Sequence, residues 1–190
     1  MNEKQHIRSR IKNQKSLLTE KERRDAAQRV FETLERSAAF MLADRILMYH
    51  SLPDELSTHE FIDKWSGRKR FFLPRVNGVN LELLPYGRTA LRLGAFQIEE
   101  PQGDEVTPAE LMELIVVPGV AFDRRGNRIG RGKGFYDRLL TETKATTVGV
   151  GYDFQLLDEV PAEVHDAPLD MIITETARIL FHHNSRHRRQ

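Results

Sequence analysis

The rhythm of hydrophobic and polar positions along this chain changes near Ile46. Before it, residues 3–16 are polar except for a thin stripe that includes Ile7 and Ile11, four apart, which predicts a weakly amphipathic helix. Thr19 and Glu22 form a Thr-x-x-Glu capping box that opens a second helix. Ala26, Ala27, Val30, Phe31 and Leu34 then recur at helical spacing. From Ile46 to Tyr49 the pattern becomes that of a buried strand, and Ser57-x-x-Glu60 is expected to cap a helix running to Trp65. Further strands are expected at 70–73, 81–84, 114–117, 146–150 and 171–174, with 178–181 closing the sheet. A helix is expected from Phe135 to about Thr143. There is no internal repeat and no linker. Strands separated by helical stretches predict a single α/β domain with a mainly parallel sheet flanked by helices. In such sheets ligands lie beyond the carboxyl ends of the strands. The segments after the strands ending near Tyr49, Val117 and Val150 are therefore expected to converge on one rim.

Composition narrows the class. In a chain of 190 residues, 39% hydrophobic and 30% charged content belongs to a globular protein with a substantial core. Twenty-nine basic and 28 acidic residues nearly cancel, which argues against a dedicated nucleic-acid binder. With no cysteine, disulfides, thiol nucleophiles and cysteine-bound zinc are excluded, in keeping with a cytoplasmic protein. No apolar run is long enough to span a membrane, and Met1-Asn2-Glu3-Lys4 does not open a signal peptide.

The chemistry concentrates in Gly130-Arg131-Gly132-Lys133-Gly134-Phe135-Tyr136-Asp137. Alternating glycines let backbone N–H groups turn toward one point, and a following helix start adds partial positive charge there. Arg131 and Lys133 add whole charges, and Asp137 stands where a phosphate-bound magnesium ion would need an acid. Such a run is either a surface turn with solvated cations or a polyphosphate cradle; the acid and the helix start favour the cradle. It is not a P-loop, because Gly134 follows Lys133 and Asn127 occupies the required first glycine. Nor is it a dinucleotide fingerprint, which belongs at the first strand–helix turn.

Across Pro118-Gly119-Val120-Ala121-Phe122-Asp123-Arg124-Arg125-Gly126-Asn127-Arg128-Ile129 and on through Asp137, the chain resembles the signature of the 5-formyltetrahydrofolate cyclo-ligases, also called methenyltetrahydrofolate synthetases. The likeness begins with Lys4-x-x-x-Arg8 and continues through Tyr49-His50-Ser51-Leu52-Pro53-Asp54-Glu55, Leu73-Pro74-Arg75-Val76 and Gly94-x-x-x-Ile98-x-Glu100-Pro101. It ends with Gln155, Val160-Pro161-x-Glu163-x-His165-Asp166 and Thr174-Glu175. Phe135 stands where the family often has tyrosine. The resemblance implies a NagB/RpiA/CoA-transferase-like fold, and the ATP- and magnesium-dependent conversion of 5-formyltetrahydrofolate to 5,10-methenyltetrahydrofolate by a monomer. It implies ATP contacts from Lys4, Arg8, Arg128, Gly130, Arg131, Gly132, Lys133, Gly134, Phe135 and Tyr136. It implies folate contacts from His50 and Glu55 together with residues 131–135, catalytic roles for Lys133 and Arg131, and Mg²⁺ ligation by Asp137 and Asp166.

Blander readings stand beside these. Lys4 and Arg8 share a helix face that solvent alone would explain. Arg128 and Arg131 would bridge surface acids such as Asp123, and Phe135 and Tyr136 would anchor their helix in the core. His165 is expected to be a loop hydrogen-bonder rather than a ligand. Residues 1–181 are expected to form the domain and the basic segment 182–190 a flexible tail. A phosphosugar isomerase-like enzyme and a non-enzymatic nucleotide-binding module are the alternative functions.

Overall fold

The computed structural model describes residues 1–87, 91–163 and 166–182; His165 and all of the basic tail except His182 lie outside them. Capping boxes at Asn2/Gln5 and Thr19/Glu22 open α1 (Glu3–Ser16) and α2 (Glu20–Glu35). Ser37 caps a short α3 (Ala38–Leu42), which the sequence pattern did not reveal because five residues carry no readable period. β1 (Arg45–Leu47) leads to α4 (His59–Trp65), whose N-cap is Thr58 rather than the expected Ser57 and makes no side-chain cap bond. The Thr58 hydroxyl is drawn instead to the Tyr49 carbonyl at 2.7 Å, so tertiary pairing overrides the local cap.

The chain then forms a hairpin from β2 (Arg70–Asn77) and β3 (Asn80–Pro85), a smaller one from β4 (Leu91–Leu93) and β5 (Glu99–Pro101), and β6 (Leu114–Val117). A third hairpin, β7 (Ala121–Asp123) and β8 (Arg128–Ile129), precedes α5 (Phe135–Thr141). β9 (Thr146–Val150), β10 (Leu156–Leu157), β11 (Met171–Ile173) and β12 (Arg178–Leu180) complete it. The main sheet has seven strands in the order β12-β11-β9-β6-β1-β2-β3. Its interior pairs are parallel; only the outermost pairs, β2–β3 and β11–β12, are antiparallel. The expected parallel α/β domain is therefore present, with antiparallel edges.

Both faces of this sheet are covered, which is why its central strands read as unbroken apolar runs. Leu114 and Val116 face one core with Ile46, Met48, Val30, Phe31 and Phe61. Ile115 and Val117 face the other with Leu47, Ile172, Leu139 and Leu140. A third cluster seats α1, through Ile7 and Ile11, against Ala121, Ile129 and Val160. Each such side chain stabilises the fold by about 1.5–3 kcal/mol. The thin stripe on α1 thus holds a polar helix across the β7–β8 layer, beside the glycine-rich run.

Candidate active site

β6 delivers the chain to Pro118-Gly119, and the β7–β8 hairpin turns it back into the glycine-rich run. The hairpin turn is organised by Asp123. Its fully buried carboxylate accepts from the backbone N–H groups of Arg125, Asn127 and Val160 at 2.9–3.1 Å and from the Asn127 amide at 3.0 Å. Asp123 is therefore not the surface partner of Arg128 or Arg131. Gly132 (φ 106°) and Gly134 (φ 71°) adopt left-handed backbone that a side chain would strain. Arg8 Nε donates to the Gly130 carbonyl at 2.9 Å, and an Arg138 terminal nitrogen donates to that of Lys133 at 2.8 Å. The loop is thus pinned by arginines from α1 and α5.

Around it stand cations in different states of engagement. Arg128 is almost buried, donating to the Pro118 carbonyl at 2.6 Å and lying 3.2 Å from Asp137 Oδ1. Burial lowers its pKa, and Asp137, Tyr136 and Asp166 oppose that shift. Arg131, half-exposed, pairs with Asp54 at 3.0 Å and lies 3.7 Å from Glu55. Lys133 sits over the Phe96 ring, its ammonium 5.1 Å from the centroid. Lys4 is 3.7 Å from Glu163, whose backbone N–H donates to Asp166 Oδ2 at 2.8 Å. Phe135 faces Phe96 at 6.0 Å, whereas Tyr136 packs partly on the second core cluster, beneath the Arg128 guanidinium.

The opposite wall is the turn after β1. Tyr49 donates through its hydroxyl to the Leu56 carbonyl at 3.0 Å, and Ser51 and Thr58 exchange backbone-to-hydroxyl bonds at 2.9 and 3.1 Å. Glu55 Oε1 accepts from the Leu52 N–H at 2.9 Å. Burial raises the Glu55 pKa, against the Leu52 N–H and Arg131, which stabilise its charged form. His50 stacks on His59 at 4.0 Å, with Nδ1 3.0 Å from Glu99. Burial and His59 lower its pKa, against the pull of Glu99 and Asp63.

These walls enclose a cavity of about 380 Å³ lined by Lys4, Arg8, His50, Glu55, Arg128, Asp166 and the whole of 130–137, so every residue that the resemblance assigns to ATP, folate or magnesium lies around one space. Asp137 and Asp166 bring two carboxylates to it. Such a pair suits a magnesium ion, which takes one or two acids and completes its shell with phosphate and water. Among the described residues there is no cluster of three or more metal-binding side chains. Sequence reasoning missed the apolar lining, which comes from Pro74, Val76, Leu81, Phe96 and Ile98. Phe96 carried one signal, an aromatic in the Gly94-to-Ile98 stretch; it is 54% exposed, with φ 59°. A neighbouring cavity of about 650 Å³ shares His50, Leu52, Glu55 and Glu99. No helix among the described residues is long and apolar enough to cross a membrane.

The architecture is shared with solved structures. A 5,10-methenyltetrahydrofolate synthetase from Aquifex aeolicus matches with a TM-score of 0.85 and 32% identity, over 97% of this chain and 99% of that one. A synthetase of the same name from Mycoplasma pneumoniae, 21% identical, matches in fold with a TM-score of 0.73, over 92% of this chain and 99% of that one. The 5-formyltetrahydrofolate cyclo-ligase of Escherichia coli K12 is 30% identical over 174 residues, 86% of this chain and 96% of that protein. That of Haemophilus influenzae is 31% identical over 176 residues, 87% of this chain and 94% of that protein. The sequence model of the 5-formyltetrahydrofolate cyclo-ligase family matches residues 1–175. With one sequence pattern spanning the glycine loop, the turn after β1 and α1, the chain belongs to the 5-formyltetrahydrofolate cyclo-ligase family.

Proposed function

We propose that this chain converts 5-formyltetrahydrofolate to 5,10-methenyltetrahydrofolate at the expense of ATP, releasing ADP and phosphate. The observation that carries the reading is the single cavity with two unlike walls. One wall is a glycine-shaped loop bearing Lys133 with Arg8 and Arg128 close by; the other holds the buried carboxylate of Glu55 among apolar side chains. The first suits a polyphosphate. The second suits the flat pterin of a reduced folate, whose edge donors a carboxylate accepts.

The formyl oxygen is a poor leaving group, and phosphorylation changes that. It attacks the γ-phosphorus as the bond to ADP breaks; N10 then adds to the formyl carbon, the C–O bond breaks and phosphate departs. Loss of the N10 proton leaves the closed amidinium ring. No protein nucleophile is needed, in keeping with a chain that has no cysteine. The protein's part is to align formyl oxygen with γ-phosphorus and to meet the transferring charge with Lys133, Arg131 and loop amides. Asp137 and Asp166 would hold a magnesium ion that supplies further neutralisation of the phosphate oxygens. Incubation with 5-formyltetrahydrofolate should produce methenyltetrahydrofolate absorbance only when ATP and magnesium are both present. Binding of ATP with no turnover would favour a nucleotide-binding module, and turnover without ATP would favour an isomerase-like enzyme.

A further inference from the structure

Behind the glycine loop one acid is shared by two cations. A terminal nitrogen of Arg131 lies 3.0 and 3.1 Å from the two carboxylate oxygens of Asp54. Lys15 Nζ stands 4.0 Å from Oδ2 of the same carboxylate. The two cations are unlike in freedom: the Lys15 side chain is 7% exposed, that of Arg131 49%. Arg23 ties Lys15 and Asp54 to one platform, donating to the carbonyls of Lys15 at 2.5 Å and Pro53 at 3.3 Å. Lys15 is not among the residues lining the cavity, so it acts on a ligand from outside, through Asp54 and Arg131 and through its charge interaction with Glu55. Burial pushes the Lys15 pKa down; Asp54 and Glu55 push it up, and Arg131 and Arg23 push it down again.

We propose that Asp54 holds the Arg131 side chain at the edge of the cavity until a polyphosphate enters, and that Lys15 then takes over Asp54 as Arg131 swings to the phosphate. The proposal rests on the nucleotide reading of the cavity. Its physical basis is a difference in geometry. Arg131 meets Asp54 through one nitrogen, whereas a phosphate offers its planar fork two parallel bonds. Leaving Asp54 would strand a half-exposed carboxylate against Glu55, and a lysine already 4.0 Å away removes that penalty. Glu55 is the weaker competitor for Arg131, at 3.7 Å and already accepting from the Leu52 N–H. Lys15 is on this account a positioning residue for nucleotide binding.

The test is calorimetric binding of a non-hydrolysable ATP analogue, with magnesium, to the full-length protein. Lys15→Met keeps the apolar stem and removes the charge; it should weaken nucleotide binding about fivefold, the scale of a part-exposed ion pair. Binding of 5-formyltetrahydrofolate, which senses Lys15 only through its charge interaction with Glu55, should change less than nucleotide binding. Asp54→Asn frees Arg131 and should bind the analogue at least as tightly as the parent. In the Asp54→Asn background, Lys15→Met should have no further effect. Equal loss in both backgrounds would show that Lys15 only supports the fold, and weaker nucleotide binding by Asp54→Asn alone would likewise overturn the exchange. A parent protein that binds folate but no nucleotide would instead overturn the nucleotide reading itself, and the exchange with it.

Discussion

The two walls of the cavity are built by opposite means. The glycine-rich loop is shaped by backbone: Gly132 and Gly134 take left-handed conformations, and the cations within it, Arg131 and Lys133, are exposed side chains. The turn after β1 is shaped by buried side chains: Tyr49, Ser51 and Thr58 bond to one another's backbone, and Glu55 closes on Leu52. A charge in the loop can be removed with little effect on packing. In the turn, function and stability share the same hydrogen bonds.

The comparison breaks most visibly at Lys133. Removing one preorganised charge from a transferring phosphoryl group costs about 3 kcal/mol, or about a hundredfold in rate. Lys133→Ala should lose that much in kcat for methenyltetrahydrofolate formation while its melting temperature stays at the parent value. A melting temperature that fell with the rate would move Lys133 from chemistry to structure.

Glu55→Gln probes the opposite wall. Losing a charged hydrogen-bond acceptor costs about 1.5–3 kcal/mol, so the folate KM should rise at least about tenfold with nucleotide affinity nearly unchanged. Comparable losses for both ligands would assign Glu55 to the turn alone. Its pH dependence has a definite sign. Because burial raises the Glu55 pKa, the accepting carboxylate is lost at higher pH than in a free glutamate, and the folate KM should climb as pH falls through that range. Stability runs the other way. The folded chain binds this proton more readily than the unfolded chain, so the group's contribution to stability is fully present below the ordinary glutamate pKa and is lost as pH rises through the raised folded-state value.

Thr58→Val sharpens the contrast within the turn. The hydroxyl donates to the Tyr49 carbonyl and accepts from the Ser51 N–H while fully buried. Its loss should reduce stability by about 1–3 kcal/mol in denaturant unfolding. The folate KM should rise a few-fold alongside. Unchanged stability would mean that the turn is held by packing and not by these bonds. The smallest effect expected is at the acids: Asp137→Asn should raise the magnesium needed for half-maximal activity several-fold, and Asp166→Asn less, in a magnesium titration. An unaltered titration for Asp137→Asn would remove that residue from the proposed magnesium site.

Much of the fold was legible because the signals were local. The Thr19/Glu22 capping box, the alternation of helices with strands and the apolar runs at 114–117 and 146–150 each depend on neighbouring residues, and each is present. The small hairpins escaped detection because strands of two or three residues carry no period. One assignment failed where a tertiary partner competed with a local one: Ser57 was passed over when the Thr58 hydroxyl turned to the Tyr49 carbonyl. The blander reading of Asp123 as a surface partner for the arginines fails for a local reason, because its carboxylate is buried and used by its own turn.

What the sequence determined by itself is the chemical inventory of the site: glycines at the positions that need left-handed backbone, cations interleaved with them, and acids at Asp137, Asp166 and Glu55. These are properties of residue type and spacing, which folding does not alter. What only the tertiary structure decided is which charges face each other: Arg128 with Asp137, Arg131 with Asp54, and Lys15 waiting behind it. Residues 131 and 54 meet because β6 and β1 are adjacent parallel strands whose carboxyl ends share one rim, a long-range pairing that no local pattern in the chain encodes.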